Sequence, residues 1–68
     1  MDKMGKLHHM IEHWMEHNDE HLKTYNDWAG RARGEGMEDT AKALDEIARA
    51  TKNLGELFRK ALSTIPKH

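Results

Sequence analysis

Gly34-Glu35-Gly36 divides the chain into two stretches whose apolar residues recur at alternating steps of three and four. That spacing belongs to a helix packed along one face, because a strand would alternate every second residue. The first row reads Met4, Leu7, Ile11, Trp14, Asn18, His21, Tyr25, Trp28 and Ala32. It predicts a helix over about residues 2–33, with Asp2 accepting otherwise unpaired N–H groups at its start. Gly5 weakens the first turns by roughly 1 kcal/mol relative to alanine. Gly34 is placed to adopt the left-handed conformation that ends helices, so residues 34–36 read as the turn. The second helix is expected over about 37–64, with Glu38 and Asp39 in its first turn, where acids suit the helix dipole. Its inward face reads Met37, Ala41, Leu44, Ile47, Ala48, Thr51, Leu54, Gly55, Phe58, Leu62 and Ile65. Asp45 with Arg49, and Glu56 with Lys60, are expected as exposed i,i+4 pairs of little energetic weight. Pro66, which lacks an N–H, closes the helix.

The fold class this implies is all-α: an antiparallel two-helix hairpin, with residues 1–68 as a single domain, since a short turn makes long helices neighbours. Folding at Glu35 brings His21 toward Ala48, Asn18 toward Thr51, Trp14 toward Leu54 and Gly55, and Ile11 toward Phe58. Small residues of the second helix would then face large aromatics of the first. Two helices cannot enclose both apolar stripes, so the hairpin is expected to self-associate through the Leu7–Trp28 seam. The simplest product is a homodimer forming a four-helix bundle.

Sixty-eight residues lie near the lower limit for independent folding, and the chain has no cysteine for a disulfide or a thiolate metal site. Such scaffolds rely on a metal, on oligomerisation or on very good helix packing. The formal net charge is −1, with no basic block to suit nucleic acid or an anionic membrane. No apolar run precedes the histidines, so neither a leader nor a membrane span is expected, and a cytoplasmic location is the default.

The chain is histidine-rich in one place. His9, His13, His17 and His21 recur every four residues, with Glu12, Glu16 and Glu20 keeping the same step. Residues four apart are neighbours on one helix face, so each adjacent pair is a possible two-point metal clamp. The stripe drifts around the helix because four residues slightly exceed a full turn. With Trp14 inward, His9 points out, His13 lies on the flank, His17 borders the seam and His21 is within it. His17 and His21 are therefore the expected metal ligands, with His13 as a possible third. The second helix has no histidine, so completing a tetrahedral site needs another chain's histidines, a carboxylate such as Glu20, or water. Zinc, nickel, cobalt and copper all accept imidazole. The alternative is a metal-free polar layer in which Asn18 and His21 set register and oligomer specificity in a structural or protein-interaction bundle.

The spelling His-x-x-Glu-His occurs at 9–13, 13–17 and 17–21 and matches an inverted zinc-peptidase motif. Three overlapping copies follow from a four-residue repeat, and such enzymes need a further ligand and a cleft in a much larger domain. With no nucleophile constellation and no phosphate-binding glycine loop, the chain reads as a binding protein and not an enzyme. Trp14, Tyr25 and Trp28 read as core aromatics, and the methionines as packing residues.

The run His13-Trp14-x-x-His17-Asn18-x-x-His21-x-x-x-Tyr25-x-x-Trp28-Ala29 resembles a signature of small, uncharacterised prokaryotic helical-hairpin proteins. The resemblance continues through Gly36 and the Ala/Leu-rich second helix. It implies a two-helix hairpin and a loose association with nickel or cobalt handling, carried by His13, His17, Asn18, His21, Tyr25 and Trp28. Together these readings make metal storage, delivery or sensing at an intersubunit histidine site the expected function.

Overall fold

The computed structural model describes residues 3–66. Asp2 and His68 lie outside them, so the expected aspartate cap does too. Helix α1 spans Lys3–Gly34 and helix α2 spans Glu38–Ser63, packed against each other as an antiparallel hairpin of 52 × 16 × 11 Å. Among the described residues there is no strand, and no helix is long and apolar enough to cross a membrane.

The turn is built by backbone bonding. The N–H of Met37 donates to the carbonyl of Ala32 at 2.8 Å, and that of Gly36 to Arg33 at 3.1 Å. This paired pattern requires a left-handed residue just past the helix, and Gly36 supplies it with φ +80°. Gly34, expected in that role, is instead the last residue of α1. Beyond the turn, Arg33 donates from Nε to Glu38 (3.2 Å) and from Nη2 to Asp45 (2.8 Å). These two carboxylates, Asp45 foremost, hold the guanidinium above its ordinary pKa. Asp45 therefore bridges the helices instead of pairing with Arg49 along its own. At the far end, Ser63 is the last helical residue, the N–H groups of Thr64 and Ile65 bond back to Ala61 and Leu62, and Pro66 follows.

The hairpin closes on small side chains. Ala41, Ala48 and Gly55 form a row along α2, and Ile11, Asn18 and Ala29 are the buried residues of α1. Backbones lined by such residues approach closely. A Cβ added at Gly55 would stand 3.3 Å from Asn18 Nδ2, and that nitrogen donates to the carbonyl of Thr51 at 2.9 Å. The Asn18–Thr51 level expected from the hairpin register is thus the one observed.

Helix α1 is turned differently from the expected seam. Ile11, Asn18, Tyr25 and Ala32 face α2 as read from the sequence, but the rows between them are His8, Met15, Leu22 and Ala29. Leu7, Trp14, His21 and Trp28 lie instead on an exposed flank, with Trp14 44 % and Trp28 54 % accessible. On α2, Met37, Ile47 and Leu54 are likewise exposed where an inward position was expected. The physical reason is the close approach itself. An indole seated over Ala41, Ala48 or Gly55 would hold the helices apart, whereas Ala29, Asn18 and Met15 let them meet.

Candidate metal centre

On a continuous helix with no proline between Lys3 and Gly34, the four-residue step stacks the imidazoles turn upon turn. The rings of His17 and His21 are 4.6 Å apart between centroids, tilted by 37°. His13 stands 6.4 Å from His17. His21 also stacks on Tyr25, with centroids 5.8 Å apart and planes within 14°. Tyr25 is half-buried against the hairpin, so it supports the exposed His21 ring from one side. His13, Glu16, His17 and Glu20 line a shallow cleft on this helix.

His9, His13, His17 and His21 are all exposed. His21 does not sit in the hairpin seam as expected, because Leu22 occupies that level. Within the single hairpin, Asn18 is buried and bonded to helix α2, and His21 faces outward. His8 is drawn aside by a 3.3 Å contact from Nδ1 to Glu12.

Among the described residues, no group of three or more His, Cys, Asp or Glu side chains is arranged to hold a metal. One chain presents two adjacent imidazoles, His17 and His21, with carboxylates a turn away. Two donors are half of a tetrahedral set.

Beside the His17/His21 pair lies a face that sequence reading, Met10 and Leu57 apart, assigned to the core. Leu7, Met10, Trp14 and Trp28 on α1, and Met37, Ile47, Leu54 and Leu57 on α2, are each 39–54 % exposed. Near the turn the two rows meet: Trp28, Arg31 and Ala32 share an apolar hollow with Met37, Thr40 and Leu44. Arg31 lies over the Trp28 ring at 4.7 Å. The opposite broad side is charged, where Leu22 and Asn26 border Asp45, Arg49 and Lys52. The missed signal was a second three-and-four row on α2, Thr40-Ala43-Ile47-Ala50-Leu54-Leu57-Ala61. His17 and His21 belong to the matching row of α1, between Trp14 and Trp28.

Residues 7–65 match the model of a domain of unknown function, DUF8180. The chain belongs to that family. An uncharacterized protein of Archaeoglobus fulgidus is 32 % identical over 62 residues, covering 91 % of this chain and 98 % of the relative. No solved structure matches. DUF8180 is thus represented here by a two-helix hairpin whose matched region takes in both helices and the histidine stripe.

Proposed function

We propose that this DUF8180 protein binds a divalent transition metal through His17 and His21, in a site completed by a second copy of the chain, and acts in metal storage, delivery or sensing. The observation that carries this reading is the exposed His17/His21 pair with ring centroids 4.6 Å apart. Neutral imidazoles one turn apart can both direct a ring nitrogen at one ion. Two such pairs would supply the four donors that zinc prefers, and nickel, cobalt and copper also accept them. His13 is the further donor available on the same helix, and Glu16 and Glu20 are the carboxylates in the cleft. The resemblance to nickel- or cobalt-associated helical hairpins favours nickel as the first metal to try.

Calorimetric titration of the untagged full chain with Ni²⁺ and Zn²⁺, beside the His17→Ala/His21→Ala variant, tests the reading. Submicromolar binding of one metal per dimer, abolished in the variant, is expected. Weak, nonstoichiometric binding that is equal in both proteins would overturn it. The exposed apolar face would then favour the second reading, a metal-free protein-interaction bundle.

A further inference from the structure

We infer that the exposed face is covered by a second copy of the chain lying in reverse, with the turns at opposite ends and the two-fold axis passing between His17 and His21. The inference rests on the self-association in the proposed function and adds its geometry.

Size supports a second copy as the occupant. The exposed apolar side chains of this face leave on the order of 700 Å² in water, close to the ~800 Å² per partner of a stable interface. Both helices contribute a full three-and-four row, as the layers of a four-helix bundle require.

Register supports the axis. With the axis between His17 and His21, α1 packs on α1 of the second copy. His17 then stands level with His21 of the second copy, Trp14 with Thr24, and Met10 with Trp28. These are the alternating layers of an antiparallel helix pair. Within the hairpin, Asn18 is level with Thr51 and Gly55. The same axis therefore crosses α2 between Ala50 and Leu54, the middle of its own exposed row. Ile47 then meets Leu57, and Ala43 meets Ala61. One axis centres both rows.

The histidines select the reversed direction. A dimer with its turns together packs α1 on α2 of the second copy and leaves the two His17/His21 pairs on diagonally opposite helices. Reversal packs α1 on α1 and brings the two pairs level across the axis, where four imidazoles can meet one ion.

The chain has no cysteine, so Glu35→Cys in the exposed turn carries a single nitroxide label per chain. Pulsed dipolar spectroscopy of the metal-free protein is expected to give one intermolecular distance close to the 52 Å length of the hairpin. A distance within roughly 25 Å, about two helix diameters, would overturn the reversed arrangement. Absence of any intermolecular distance at concentrations where sedimentation shows a dimer would overturn it as well. A short distance would leave the metal reading standing, because the titration of the His17→Ala/His21→Ala variant decides that separately. A monomer at all concentrations, without and with metal, would overturn both.

Discussion

Asn18 Nδ2 donates to the carbonyl of Thr51 at 2.9 Å, and the same nitrogen would stand 3.3 Å from a Cβ placed on Gly55. The buried amide and the missing side chain are two parts of one contact. A glycine inside a helix costs about 1 kcal/mol relative to alanine, and one intramolecular hydrogen bond is worth about the same. Gly55→Ala is therefore expected to leave stability nearly unchanged, with the propensity gain offset by a strained Asn18 bond. In an Asn18→Ala background the same substitution should stabilise by about 1 kcal/mol. Urea unfolding of the four proteins at one fixed concentration measures the coupling. Strict additivity would mean that the two residues do not share a contact.

Gly36 is the position where the turn demands a left-handed residue, at φ +80°. A Cβ there meets nothing within 4 Å, so the cost of Gly36→Ala is backbone strain alone. It should destabilise by about 1 kcal/mol, whereas Gly34→Ala, inside α1, should stabilise. Thermal or urea unfolding distinguishes the two, and a larger loss at Gly34 would mean the turn is built differently.

Trp14 and Trp28 are exposed in the single hairpin and are the largest side chains of the face assigned to the second copy. Truncating aromatic anchors at the centre of an interface typically costs 2 kcal/mol or more. Trp14→Ala and Trp28→Ala should each weaken dimerisation by at least about tenfold in sedimentation equilibrium. Helical circular dichroism at high concentration should be little changed. An unaltered dimer would place the interface elsewhere.

Metal and assembly should be linked if the His17/His21 site needs both copies. A ligand that binds only the dimer stabilises it by mass action. Saturating Ni²⁺ or Zn²⁺ should tighten the dimer at least tenfold. The His17→Ala/His21→Ala variant, compared with its own metal-free dimer, should lose that response. Equal tightening in both proteins would point to other ligands, with His13 and Glu20 the first to examine.

The two helices, the antiparallel hairpin and the Asn18–Thr51 level were legible in the chain itself. Helical period and the glycine-flanked turn leave little other choice over two stretches this long. The histidine stripe was equally plain, since a step of four stacks imidazoles on any straight helix. What periodicity could not decide was rotation. Two rows share Ile11, Asn18, Tyr25 and Ala32. One completes itself with Leu7, Trp14, His21 and Trp28, the other with His8, Met15, Leu22 and Ala29, and both satisfy steps of three and four. Hydrophobic bulk favours the first row. The folded hairpin takes the second, because Ala41, Ala48 and Gly55 reward close approach and leave no room for indoles. Only the pairing of the two helices could make that choice, and it carried His17 and His21 to the surface beside the tryptophans.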